Sequence, residues 1–369
     1  MPGTVLPPMD LAARLPRLQA RLTDAGCDAL VVTSLTNVRY LTGFTGSSAT
    51  LLVLDHDAVL LTDGRYAEQA PDELDAAGAP ARVAVGATLA RQDELLGEAA
   101  AGVARVGLEA ADVAWSVARR YETSVLPDAE LVATTGLVEA LREVKDDGEV
   151  ARIEAAAAIA DAALAEVRHR LLERPDERTF AFDLDLAMRA GGADDVSFET
   201  IVASGPNGAR PHHRPGERTI AEGDLVVIDF GALLDGYHSD MTRTFVVGEP
   251  SPTQARMLDV VTAAQAAGVA AVVPGATTGE VDDACRSAIA EAGWADAFVH
   301  PTGHGVGLDI HEGPRVATGV AATLAPGHVV TVEPGVYLRA HGGVRVEDTV
   351  VVTPQGCRAL TAAPKTTRP

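Results

Sequence analysis

Cysteine is scarce in this 369-residue chain: Cys27, Cys285 and Cys357 are far apart and odd in number. A disulfide framework and a thiolate zinc knuckle are therefore not expected. Positive charge is also short, with 30 Lys and Arg against 52 Asp and Glu and a formal net charge of −22. Such a surface lacks the basic footprint that phosphate backbones or anionic membranes need, so neither nucleic acid nor membrane is an expected partner. No stretch reaches the roughly 18 uninterrupted apolar residues of a membrane span. The alanine-rich windows near 154–165 and 263–273 are broken by charge, Gln or Gly. The N-terminal MPGTVLPPMDLAARLPRLQARL has no basic start followed by an apolar run of signal-peptide length, which makes a cytoplasmic location the expectation. What is abundant is apolar side chain, 47% of residues, enough for a well-buried core in a chain of two-domain length.

Residues 1–140 read as a small α/β domain. Leu11 to Leu22 has helical spacing, Ala29 to Thr33 is a short apolar strand, and Thr50–Leu54 with Ala58–Thr62 flank a turn as in a hairpin. Val83–Val85 and Val106–Leu108 are further strand candidates. From Lys145 a long Ala/Glu/Arg segment to about Leu172 has the strongest helical pattern in the chain. This places the boundary near 140, with residues 141–369 forming a second, α+β domain.

The second part carries an internal repeat. Ala221-Glu-Gly-Asp-Leu-Val-Val-Ile-Asp229-Phe-Gly231 matches Ala325-Pro-Gly-His-Val-Val-Thr-Val-Glu333-Pro-Gly335: a mostly β-branched run, then a carboxylate, then Gly, in register. Helical segments precede each copy (146–172 and 178–190, then 252–272 and 278–292), and a second strand bearing Asp240 or Glu347 follows. Two related halves would bring their carboxylate hairpins to one pseudo-symmetric centre. In the first hairpin, Asp235-Gly236 is a favoured two-residue turn that pairs Gly231 with Asp240, leaving Asp229 and Asp240 as diagonal neighbours on one face. In the second, a five-residue loop from Arg339 to Gly343 would pair Gly335 with Glu347 and put Glu333 on the diagonal.

An isolated buried carboxylate costs several kcal/mol, and four converging ones repel unless cations are present. Two divalent ions would balance four such charges. Eight of the ten histidines fall between 212 and 341, in the same part of the chain. The segment HPTGHGVGLDIHE holds His300, His304 and His311, and its glycines argue against a regular helix. Strand alternation would put 304 and 311 on opposite faces. His212-His213 lies in the Gly/Pro-rich loop SGPNGARPHHRPG ahead of a core strand. Carboxylates with one imidazole suit Mn²⁺, Co²⁺ or Zn²⁺.

The order Asp229, Asp240, His304, Glu333, Glu347 resembles the five-ligand dinuclear centre of the pita-bread metallopeptidases, and within them the aminopeptidase P and prolidase branch. Residues 300–312 are similar to that branch's signature, with Pro301 where a small or polar residue is usual. Asn37–Phe44 and Thr62–Tyr66 resemble its N-terminal domain. The resemblance spans nearly the whole chain. It implies a pita-bread catalytic domain with an internal pseudo-two-fold, preceded by a smaller creatinase-like α/β domain. It also implies two bound divalent ions, Mn²⁺ first, and cleavage of Xaa-Pro bonds in proline-containing peptides by a homodimer. By the same resemblance His212, His300 and His311 contact substrate, with His212, His311 and Glu333 catalytic. Tyr337 and Arg345 would hold the metal-binding carboxylates. A metal-free creatinase-like amidinohydrolase and a non-catalytic module on this fold are the competing readings. Either would tolerate lost ligands, and none is lost.

Overall fold

The alanine-rich segment after Lys145 forms the longest helix, α1 (Asp147–Val167), because small residues dominate it and Asp146 with Glu149 closes a capping box at its start. α2 (Glu177–Ala190), α3 (Pro252–Ala271) and α4 (Thr278–Glu291) follow, each with a side-chain cap: Asp176, Ser251 and Thr277. This computed structural model describes residues 6–369. Two compact units divide the chain, one of residues 9–142 and one of residues 143–369 with the N-terminal residues 6–8. Among the described residues no helix is long and apolar enough to cross a membrane.

The smaller unit is a six-stranded sheet of β1 (Ala29–Val32), β2 (Ala49–Leu54), β3 (Ala58–Thr62), β4 (Arg82–Val85), β5 (Arg105–Glu109) and β6 (Glu130–Thr134), ordered β4-β3-β2-β1-β5-β6. β2 and β3 form the expected hairpin, while the N-terminal helix is shorter than its periodicity suggested, a 3₁₀ turn over Leu11–Ala13 and α-helix over Arg14–Gln19.

In the larger unit the two repeats fold alike. The first half supplies α1, α2 and a sheet of β7 (Ile201–Ser204), β8 (Leu225–Phe230) and β9 (Met241–Val246). The second supplies α3, α4, β10 (Gly303–Gly305), β11 (Glu312–Val316), β12 (Val329–Val332), β13 (Gly335–Leu338), β14 (Gly342–Arg345), β15 (Asp348–Thr353) and β16 (Gly356–Ala359). Equivalent bridges close each half, Asp176 to Thr219 and Thr277 to Thr323.

Alternation then decides where the acids face. Val226, Ile228 and Phe230 pack with Leu164, Phe180 and Leu184 of α1 and α2, so Asp229 faces away from that core. Val330 and Val332 pack with Val261, Val281 and Ile289 of α3 and α4, and Glu333 again takes the other face. Each such fully buried aliphatic side chain contributes roughly 1.5–3 kcal/mol, enough together to hold an acid at each strand end.

One hairpin follows its expected register and one does not. Leu234 pairs with Tyr237 and Phe230 with Met241, so Asp229 sits opposite Thr242 and diagonal to Asp240. In the second hairpin Leu338 pairs with Gly342 and Gly335 with Arg345, not with Glu347. The loop is three residues, Arg339 to His341, because Gly342, at φ +93°, and Gly343 already belong to the return strand. Val332 opposite Asp348 then puts Glu333 across from Glu347 instead of on the diagonal. The continuous alternation expected through residues 304–311 also fails. The strand ends at Gly305, and the Gly307 N–H turns to the Asp309 carbonyl at 3.1 Å.

His328, at the start of β12, is nearly buried and accepts the Ala325 N–H at 3.3 Å through Nδ1. Burial, and secondarily Lys145, pushes its imidazole down to about 4. The unfolded chain then binds an extra proton between pH 6.5 and about 4, so stability is full above that window and lost as pH falls through it. His328→Asn keeps an acceptor without the titration. Its loss of unfolding free energy between pH 7 and 4.5 should be smaller than the wild type's by on the order of 2 kcal/mol. Equal losses in denaturant titrations at both pH values would contradict this.

Candidate metal centre and active site

Three carboxylates meet at the ends of β8, β9 and β14: ligand atoms of Asp229, Asp240 and Glu347 all lie within 4.8 Å of one another. His304 joins them from β10, its Nε2 standing 3.5 Å from both Asp240 Oδ2 and Glu333 Oε1. The five residues singled out in sequence as candidate ligands are thus gathered in one place.

Hydrogen bonding sets the imidazole. His304 Nδ1 faces the Gly305 carbonyl at 3.0 Å, so it carries the proton and leaves the Nε2 lone pair toward two carboxylates. Lone pair against carboxylate is repulsive unless a cation lies between. Further signs agree. Asp229 Oδ1 and Glu347 Oε1 are buried and, among the described residues, accept no hydrogen bond. Burial, then Glu347, Asp229 and Glu333, pushes the Asp240 carboxyl well above its usual range. Burial, then Glu333 and Asp229, does the same to Glu347. Burial lifts Glu333 to about 8 against the pull of Arg345. Burial also lowers His304 to about 4, keeping it neutral. Three acids that resist ionisation, beside Asp229 and a neutral imidazole, fit a pair of divalent cations, which would restore the charge balance.

The acids are held by a buried arginine. Arg345 donates to Asp229 Oδ2 at 2.5 Å, to the Tyr337 hydroxyl at 2.8 Å and to Thr242 Oγ1 at 3.0 Å. Thr242 Oγ1 in turn donates to Glu347 Oε2 at 2.7 Å. Burial opposes the arginine's charge, but Tyr337, Asp229 and Glu333 hold it well above its ordinary range. Tyr337, receiving from Arg345, donates to His300 Nε2 at 2.8 Å, while His300 Nδ1 donates to the Pro301 carbonyl at 2.8 Å. Burial lowers His300 to about 4, consistent with a neutral ring using both nitrogens.

A cavity of about 320 Å³ opens over the acids, lined by His212, His300, His311, Glu312 and Arg315. His212 and His311 are exposed to it, and the bend after Gly305 returns His311 to an edge-on ring contact with His304, centroids 4.3 Å apart. The expected separation of 304 and 311 onto opposite faces is corrected accordingly.

Several supporting groups escaped the sequence reading. Asp282 on α4, fully buried, accepts from the Thr302 N–H at 3.1 Å and from Arg286 at 2.6 Å. Arg286 reaches the His300 carbonyl at 2.6 Å, so this i,i+4 pair fixes the histidine-rich segment. Lys145 pairs with Glu312 at 2.5 Å, both buried side chains. Glu177 anchors the loop of His212 and His213. In sequence these charges look ordinary: Glu177 reads first as a helix-end charge and Asp282 with Arg286 as a helical i,i+4 pair, while the partners that tie them to the site lie farther along the chain.

Comparison with known proteins agrees with this arrangement. A family model described as metallopeptidase family M24 matches residues 151–354, a span that includes all the candidate site residues. A second, described as the creatinase/prolidase N-terminal domain, matches residues 14–144. A Bacillus subtilis protein described as the uncharacterized peptidase YqhT is 40% identical over 352 residues, covering 95% of this chain and 98% of its own. A solved structure of an Xaa-Pro dipeptidase from Bacillus anthracis has a TM-score of 0.93 at 37% identity, covering 97% of this chain and 99% of that one. An X-Pro aminopeptidase from Thermotoga maritima gives 0.86 at 32% identity, with 96% and 99% covered. The fold, the acid and histidine cluster and the family match together make this chain a member of metallopeptidase family M24, a metal-dependent peptidase with a pita-bread catalytic domain and a creatinase-like N-terminal domain.

Proposed function

We propose that the protein hydrolyses Xaa-Pro peptide bonds with two divalent ions, Mn²⁺ first, held by Asp229, Asp240, His304, Glu333 and Glu347. The observation that carries the metal assignment is the His304 Nε2 lone pair aimed at two buried carboxylates. The substrate assignment rests on the similar proteins described as Xaa-Pro dipeptidase and X-Pro aminopeptidase. In this assignment residues 1–140 are the creatinase-like domain and 141–369 the catalytic one, and the working form is a cytoplasmic homodimer.

Asp229, Asp240, His304, Glu333 and Glu347 would hold two cations, which would supply Lewis acidity to water and the scissile carbonyl near neutral pH. The remaining work falls to side chains. Glu333 accepts the proton released by the attacking water and passes it toward the proline nitrogen. His212 and His311, at the cavity wall, donate to the oxygen that gains charge and assist departure of the amine. Tyr337 and Arg345 hold Asp229 and, through Thr242, Glu347 in place. His300 locks Tyr337 and faces the substrate cavity. Arg315, exposed at the same wall, offers a positive charge to a substrate carboxylate, which favours short peptides with a free C-terminus.

The assay that tests this compares Ala-Pro, Ala-Pro-Ala and Ala-Ala with Mn²⁺ present. Cleavage of Ala-Pro above Ala-Pro-Ala, with little of Ala-Ala, is expected; preference for Ala-Ala would reject the proline reading. His212→Ala and His311→Ala should each lower kcat by roughly 10²-fold, within the ordinary range for lost acid–base or oxyanion groups. Metal content, read by elemental analysis, should stay at the wild-type level. Loss of metal along with activity would mean that these histidines are ligands instead.

A further inference from the structure

Glu177 is the first residue of α2 and is completely buried. As a helix-start acid it would satisfy the macrodipole from the surface, without burial. Instead its carboxylate points inward and collects donors from one long loop. Oε1 accepts the Ser204 N–H at 2.8 Å, Ser204 Oγ at 2.7 Å and Asn207 Nδ2 at 3.0 Å. Oε2 accepts Asn207 Nδ2 at 3.2 Å, His213 Nε2 at 2.8 Å and the Gly216 N–H at 3.2 Å. These donors come from the end of β7, the 3₁₀ turn Gly205–Ala209, and both sides of the loop beyond it.

The same loop is held from its other side. Gly208 packs so closely on β14 that a Cβ on Gly343 would lie 1.9 Å from the Gly208 carbonyl oxygen. Arg345, paired with Asp229, also reaches the Pro211 carbonyl at 3.4 Å. His212 therefore sits between two anchored neighbours: Pro211, tied to the arginine of the carboxylate centre, and His213, tied to Glu177. We propose that Glu177 is a positioning residue, its buried carboxylate fixing the loop of residues 204–216 so that His212 is presented to the cavity above the carboxylate centre. The proposal rests on the assignment of His212 to the reaction.

Charge is part of the design. Burial opposes ionisation of Glu177, yet the hydrogen bonds from Asn207, Ser204 and His213 hold its carboxyl below the usual range. Both oxygens face donors, so an amide at this position would turn an NH₂ group toward Ser204 or toward His213 and Gly216. Glu177→Gln thus keeps size and removes the match.

The test joins amide exchange to kinetics on the metal-loaded protein. In Glu177→Gln the Ser204 and Gly216 amides should exchange at least about 10-fold faster, as local opening of that loop becomes easier. kcat for an Xaa-Pro substrate should fall roughly 10–100-fold, the scale of a displacement near 1 Å, with KM and metal content little changed. In a His212→Ala background the same substitution should cost less than about 3-fold, since residues acting through one another are not additive. Wild-type exchange rates in Glu177→Gln, or a full loss of kcat that persists without His212, would overturn the proposal. If Glu177→Gln does not fold, Asn207→Ala removes one donor alone and should give the same signs at about 3–10-fold, by the same logic of partial misplacement. Absence of Xaa-Pro cleavage by the unaltered protein would reject the substrate assignment instead, and the exchange rates alone would then decide the role of Glu177.

Discussion

Glu333→Gln is expected to lower kcat/KM for an Xaa-Pro peptide by roughly 10²–10⁴-fold, the range for a lost proton-transfer group. The side chain keeps its shape but can no longer accept a proton or contribute negative charge beside His304 Nε2. Metal affinity should fall too, because one of four carboxylates is neutralised. Stability of the metal-free protein should move the other way. Burial lifts the Glu333 carboxyl to about 8. A raised acid of this kind weakens the fold as pH climbs from its ordinary value of 4.5 through 8, since the unfolded chain gives up that proton first. Metal-free Glu333→Gln should therefore melt above metal-free wild type at pH 9 and alongside it near pH 4.5. Full activity in the variant would remove Glu333 from the chemistry. A lower melting point at pH 9 would show that its carboxylate is not destabilising in the empty protein.

Arg345→Lys should weaken activity or metal affinity by about 10–100-fold, the usual consequence of losing a group that orients ligands. Arg345 makes three close contacts in different directions, to Asp229, Tyr337 and Thr242. One ammonium on a flexible stem keeps the charge but cannot reproduce the planar fork. The damage should spread: Asp229 loses its partner directly, Glu347 through Thr242, and His300 through Tyr337. Saturating metal should recover part of the activity, so the loss is largest at limiting Mn²⁺. Wild-type turnover at limiting Mn²⁺ would show that the guanidinium does not support the centre.

Much of this architecture is legible in the sequence because it is local or repeated. The matched runs ending in Asp229 and Glu333 give two strands whose alternate residues face helices, and the Asp235-Gly236 turn gives the first hairpin its register without reference to the rest of the chain. The second hairpin is not legible in that way. Gly342 and Gly343 look like loop residues, and only tight packing of Gly343 on Gly208 shows why they belong to the strand. His304 and His311 are seven apart, and period-2 counting separates them; the bend at Gly305 to Gly307 brings their rings together instead. Glu177 and Asp282 are harder still. Glu177 takes partners 27 to 39 residues away, and Asp282 takes partners up to 36 residues away. Single acids in helices carry no pattern that would single them out.

Titration of the metal-free protein with Mn²⁺, following Ala-Pro hydrolysis throughout, tests the central claim most directly. The site of Asp229, Asp240, His304, Glu333 and Glu347 predicts no hydrolysis at the start and a rise that levels off once each chain has taken up two ions. Undiminished hydrolysis before any metal is added, or none after saturation, would contradict it.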